Sequence, residues 1–164
     1  MQRQGIAQEN HRSSELIRVL IENDVRVVRD GIASLLGQSP GLTIVEHSPP
    51  LETGYKGKRE GGAVDVVLAV SELAVVGATA QIQRIKNSFP DSKVVIIGVL
   101  GTEKESLDYI EAGASGYVLP ESGQEDLVET IQIVNRGEAS CPPDMLARLF
   151  ERVASLRTQL IFLG

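Results

Sequence analysis

The sequence has no tryptophan, and aromatic residues make up only 4% of it, so any core it builds is aliphatic. It holds one cysteine, Cys141, which excludes an internal disulfide and reads as the inert thiol of a cytoplasmic chain. Basic residues are in short supply: 16 Lys and Arg stand against 22 Asp and Glu, a formal net charge of −6. That balance excludes a general attraction for nucleic acid and leaves room only for a local basic patch. No apolar run approaches the ~18 residues of a membrane helix. Met1 to Ser14 is polar and lacks the apolar centre of a signal peptide. The two histidines, His11 and His47, are single and far apart, which argues against a metal role. The expectation is a soluble, cytoplasmic protein with no cofactor, no metal and no membrane contact.

What is present is Val, Ile, Leu and Ala, within a hydrophobic share of 42% and a length of 164 residues that fits one ordinary domain with a tail or linker. Asp65-Val-Val-Leu-Ala-Val70 is a short, unbroken apolar run led by an acid. A strand with one wet face would alternate; this one does not, so both its faces are covered. Open α/β sheets place their chemistry at the carboxyl ends of such strands. Here that end reads Val70-Ser71-Glu72, and the last strand position carries no reactive side chain.

Taken in order, Met1 to Glu15 reads as a disordered leader. Ile17 to Ile21 is the first strand and runs into Glu22-Asn23-Asp24, with Asp24 placed as a helix N-cap. Val28, Ile32, Leu35 and Leu36 mark one face of the helix that follows, and Leu42 to Val45 is the second strand. Ser48 to Gly62 is rich in Pro and Gly and leaves room for one short, frayed helix, with Lys56, Lys58 and Arg59 as a solvated face. After the central strand, Ala78, Ile82, Ile85 and Phe89 repeat at helical spacing, and Lys93 to Ile97 is a fourth strand. Thr102 to Glu105 and Ser122 to Glu125 read as capping boxes of two further helices, through Leu107 and Ile110 and through Leu127, Ile131 and Val134. Tyr117 to Leu119 is a short fifth strand between them. Strands alternating with helices predict an α/β fold with a parallel, doubly wound sheet and right-handed crossovers.

After Gly137 the register changes. Pro142-Pro143 opens a last helix in which Leu146, Leu149, Val153, Leu156 and Leu160 fall on heptad positions a, d, a, d, a. That repeat is shorter than the three to four heptads of a secure coiled coil. The helix packs on its own domain, pairs with a second copy, or leads into an output domain that this chain lacks. Three segments result: a leader over 1–15, a domain over 16–138, and a linker or dimerisation helix with an apolar tail over 139–164.

The order of these motifs resembles a bacterial response-regulator receiver domain of two-component signalling, in the variety of LuxR-type regulators. The matching stretches are Ile17-Arg-Val-Leu-Ile21, Val28-Arg-Asp-Gly-Ile32, Asp65-Val-Val-Leu68 and Ala112-Gly-Ala-Ser-Gly-Tyr-Val-Leu119, together with Glu125-Asp-Leu127 and Arg136-Gly-Glu138. The resemblance implies a CheY-like sheet of five strands in the order 2-1-3-4-5 over residues 16–145. It also implies a site, and there the match fails position by position. The two acids that hold Mg²⁺ fall on Asn23 and Asp24, and the phosphoacceptor aspartate falls on Val70. The Thr or Ser after the fourth strand falls on Gly98, and the phosphate-pairing Lys falls on Pro120. One carboxylate of the acidic pair survives, Asp24, and the aromatic switch position is kept, as Tyr117.

An acyl phosphate needs a carboxylate nucleophile, which Val70 lacks. Mg²⁺ needs several hard oxygen ligands, and Asp24 beside an Asn amide supplies few. Glu72 lies past the strand end and Asp65 at the opposite end, so neither is placed as a substitute. The expectation is no enzyme but a degenerate receiver, a phosphorylation-independent interaction and dimerisation module of a LuxR-type transcriptional regulator. DNA would be reached only through an output domain absent from this chain, because Arg157 to Gly164 does not resemble the start of a helix-turn-helix. The alternative is a sensor of a small molecule or partner protein, using an apolar cleft vacated at Val70, Gly98 and Pro120.

Overall fold

The computed structural model of the chain describes residues 16–45, 63–71, 77–98 and 103–163. The predicted leader, the irregular stretch after the second strand with His47, Glu72, and the Thr102 that opens the first capping box lie outside the described residues. Among the described residues five strands form one sheet: β1 (Ile17–Glu22), β2 (Leu42–Val45), β3 (Val66–Val70), β4 (Lys93–Ile97) and β5 (Gly116–Val118). Every pairing is parallel and the order is β2-β1-β3-β4-β5, as predicted. The helices are α1 (Arg26–Leu36), α2 (Gly77–Ser88), α3 (Glu103–Ala112), α4 (Gln124–Asn135) and α5 (Pro143–Leu163).

Strand parity divides the core in two. Val19, Ile21, Val66, Leu68, Val95 and Val118 meet Leu36 of α1 and Leu127, Ile131 and Val134 of α4 on one face. Leu20, Val67, Ala69, Val94, Ile96 and Tyr117 meet Ile82 and Ile85 of α2 and Tyr109 of α3 on the other. All five β3 residues are buried, which is what an unbroken apolar run at the centre of a covered sheet requires. Asp65 fastens the start of β3 to β1: its Oδ2 accepts the Arg18 amide at 2.8 Å, and its own amide donates to the Arg18 carbonyl at 2.9 Å.

Three local expectations are corrected. Leu35 is exposed, and Ala33 packs inward beside Ile32 and Leu36. The buried arc centres on Leu36, and one residue step turns the helix by about 100°, which carries Leu35 out. Asp24 is not the N-cap: α1 begins one residue later, after Val25, and the Val25 amide donates to Asn23 Oδ1 at 2.7 Å. The box at Ser122 does not form, because the N-cap is Gly123 and no side chain caps it. Glu125 and Asp126 still sit in the first turn of α4, where the helix dipole favours negative charge.

The ends of α3 and α4 share one device. Gly113 donates to Ile110 and Ala114 to Tyr109; Gly137 donates to Val134 and Glu138 to Ile133. Both glycines have positive φ, the left-handed stop that glycine adopts cheaply. Gly116 serves space instead. A Cβ there would meet Thr130 Cγ2 and Val134 Cγ2 at 3.0 Å and Val95 Cγ2 at 3.2 Å, so α4 lies directly on the strand. Gly116→Ala is expected to cost about 1–3 kcal/mol, the usual penalty of overpacking a filled core. Urea denaturation checks this; an unchanged midpoint would mean that α4 moves away freely.

Candidate functional site

The carboxyl ends of β1, β3, β4 and β5 lie side by side, and the parallel register fixes which residues meet. Glu22 pairs with Ala69, Val70 with Ile97, and Ile97 with Val118. Gly98 therefore stands one step beyond Val70, and Pro120 two steps beyond Val118. The structure brings the predicted positions to one edge of the sheet.

Beyond β1, Asn23 and Asp24 part company. Asn23 is bound into the turn by both its ends: its Oδ1 takes the Val25 amide, and its carbonyl accepts Arg29 Nη1 at 2.5 Å. Asp24 is exposed. Val70 is buried, and its carbonyl accepts Gln81 Nε2 at 2.9 Å. Pro120 is exposed in the turn after β5. Val70 itself presents methyl groups and no nucleophilic atom.

Gly98 leaves no empty space. The ring of Tyr117, buried from solvent, lies against it, and the tyrosine oxygen accepts a hydrogen bond from Ser106 Oγ on α3 at 3.1 Å. At Gly98, the space that the alternative reading leaves for a ligand is occupied by the switch residue itself. A shallow depression of about 370 Å³ lies elsewhere, between Ser39 and Pro40 and the first turns of α4 at Gln124 and Val128.

Two polar groups of this region escaped the sequence reading. Glu22 is buried on the α2 face, and its Oε1 meets Arg84 Nη2 at 3.0 Å. Its signal was strand parity: Leu20 points to that face, so Glu22 does as well. The carboxylate is thus committed to an arginine. Gln81 is also buried, donating to Val70 and accepting the Tyr109 hydroxyl at 2.5 Å. It falls on the Ala78, Ile82, Ile85 stripe, and a lone glutamine at such a position has to find partners.

The donor set does not fit the Mg²⁺ that the fold implies. Asn23 Oδ1 is engaged, Glu22 is paired, and Asp24 is left as the one carboxylate of the predicted pair. Mg²⁺ asks for near-octahedral oxygen ligation, usually with more than one protein carboxylate or with phosphate. Cys141 lies half-buried, and burial pushes its thiol up, away from the reactive thiolate. Burial, and then the charge of Lys93, lowers the Lys86 ammonium, which donates to the Ser92 carbonyl at 2.7 Å.

The segment after α4 runs along the open edge of β5. Ser140 bridges Gly116 in parallel; its carbonyl accepts the Tyr117 amide at 2.9 Å, and its amide donates to Ser115 at 3.1 Å. α5 then starts on α3: Met145 is buried in the cluster that holds Tyr109 and Tyr117, and Arg152 Nε meets Glu111 Oε1 at 2.7 Å. Of the predicted stripe, Leu149 is half-buried, while Leu146, Val153, Leu156 and Leu160 are exposed, with Phe150 and Ile161 beside them. Among the described residues, no helix is long and apolar enough to cross a membrane.

No protein-family model matches the chain. Response regulator GacA of Pseudomonas viridiflava is 31% identical over 134 residues, 82% of this chain and 62% of that protein. The transcriptional regulatory protein LnrK of Bacillus subtilis is 25% identical over 134 residues, 82% of this chain and 60% of that protein. The chain thus spans about three fifths of the length of these curated relatives. A two-component response regulator of the LuxR family from Aurantimonas sp. SI85-9A1 superposes with a TM-score of 0.68 at 25% identity, over 85% of this chain and 99% of that one. With the sheet order, the buried β3 and the Ala112 to Leu119 run in place, these likenesses make the chain a response-regulator receiver domain with the CheY-like fold and LuxR-family structural neighbours.

Proposed function

We propose that this receiver is the regulatory module of a LuxR-type transcriptional regulator and that it signals without accepting a phosphoryl group. The observation that carries the reading is Val70, a buried apolar side chain at the place where the resemblance puts the phosphoacceptor. Its neighbours support it: Asn23 is tied into its own turn, Gly98 is covered by Tyr117, and Pro120 can neither donate a proton nor carry charge. Such a module works in the cytoplasm through protein contacts, with α5 as the face for a second copy. DNA contact belongs to an output domain beyond the receiver.

The test is incubation with acetyl phosphate and Mg²⁺, followed by intact-mass measurement. The expected result is no mass gain of one phosphoryl group, and no saturable response to Mg²⁺ in a thermal-shift titration. Val70→Asp alone is expected to stay unmodified, because the second carboxylate and the lysine are still missing. A stable phosphoryl adduct on the unaltered chain, or tight Mg²⁺ binding, would sink the reading.

A further inference from the structure

Gly98 and Tyr117 compete for one space. A Cβ built on Gly98 would lie 1.9 Å from the Tyr117 hydroxyl oxygen, 2.5 Å from Cζ and 2.9 Å from Cε1. Real Cβ atoms essentially never come within 3.0 Å of another heavy atom, so any other residue at 98 requires something to move. The backbone does not call for glycine here, since Gly98 is not among the positive-φ glycines 41, 77, 113 and 137. Nor can the backbone retreat cheaply: the Gly98 amide donates to the Val118 carbonyl at 2.9 Å, holding β4's end against β5. The mobile partner is the tyrosine ring.

Tyr117 sits where three parts of the molecule meet. Its oxygen accepts from Ser106 on α3, its amide donates to Ser140 in the segment leading to α5, and its ring packs in one cluster with Met145 of α5. α3 in turn carries α5 through the Arg152–Glu111 pair. A displaced ring would vacate core beside Met145 and break the Ser106–Tyr117 hydrogen bond at the same moment.

We infer that Gly98 is the seat of Tyr117, and that the absent side chain at position 98 latches α3 and α5 in one arrangement without any ligand at the strand ends. The latch is a matter of volume. It holds whether or not the sheet edge accepts phosphate, so it stands or falls separately from the proposed function.

The experiment uses the full chain with Gly98→Ala and with Tyr117→Phe. Nitration by tetranitromethane, mapped by mass, reads the exposure of Tyr117, and amide hydrogen exchange over Met145 to Arg152 reads the attachment of α5. Gly98→Ala is expected to speed both by at least about tenfold, as local opening becomes frequent. Tyr117→Phe keeps the ring seated and loses only the Ser106 bond, so its α5 exchange stays near that of the unaltered chain. Protection of Tyr117 and of α5 unchanged in Gly98→Ala would overturn the inference. If Gly98→Ala does not fold, Gly98→Ala/Tyr117→Leu, which makes room for the methyl group, is expected to recover a folded chain; failure of that double variant also overturns it.

Discussion

A chain ended after Gly137 is expected to lose about 3–8 kcal/mol of folding stability, out of the roughly 5–15 kcal/mol that domains of this kind possess. The truncation removes Ser140, whose two backbone hydrogen bonds cover the edge of β5. Each such bond contributes about 0.5–1.5 kcal/mol net. It also removes Met145, buried between α3 and β5, and losing a buried side chain of that size from a core costs about 2–5 kcal/mol. A chain ended after Leu156 keeps all of these contacts and the Arg152–Glu111 pair. It is expected within about 0.5 kcal/mol of the full chain, as changes away from packed features usually are. Urea midpoints of the two truncations decide the matter. Equal midpoints would show that the receiver is complete at Gly137; a large gap shows that its packing runs on into the first turns of α5.

That result bears on what could be read from residues alone. β3 was legible because its apolar run has no period, and burial on both faces is the arrangement such a run fits. The ends of α3 and α4 were legible through Gly113 and Gly137. The start of α4 was not: Ser122 and Glu125 have capping-box spacing, yet β5 ends at Val118 and the turn delivers Gly123 to the N-cap position. At Asp24 the same kind of error arose, because helix entry is set by how α1 packs on β1 and not by the nearest acid.

The candidate site divides in the same way. Which positions had lost their chemistry was legible from Val70, Gly98 and Pro120 through the resemblance. What fills the space they leave was not, because a glycine in the sequence does not announce a tyrosine nineteen positions on. Gly98 looks like a deletion of function in the string and is a point of tight packing in the fold. The Glu22–Arg84 pair was hidden for a similar reason: the two residues are 62 apart, and only the crossover from β1 through β3 to α2 brings them together. Removing one partner of a buried ion pair strands the other, so this pair constrains the site's rim more than it contributes to it.

The full chain is expected to self-associate through α5 at micromolar concentration, and Val153→Glu/Leu160→Glu is expected to weaken that association by at least about a hundredfold, roughly 2.7 kcal/mol. α5 has 21 residues, of which the first turns are committed to α3. Beyond them the apolar side chains face water: Val153 is 64% exposed, Leu160 71% and Leu156 nearly half, and Leu146 in the first turn is exposed to the same degree. With Phe150 and Ile161 they fall within an arc of about 140° on one side of the helix, at 100° per residue. A helix covered on one stripe by its own domain and apolar on another is shaped for a second partner, and each Leu buried there is worth roughly 1.5–3 kcal/mol. A second copy presents the same stripe, and a twofold axis is the commonest way for a soluble chain to cover it. In such a dimer the double substitution places four carboxylates in an apolar contact, while in the monomer both positions are already solvated and folding is little changed. Sedimentation velocity compares the two proteins, with urea midpoints confirming equal stability. If the unaltered chain already sediments as a monomer at micromolar concentration, the exposed stripe serves another partner and the dimer is wrong.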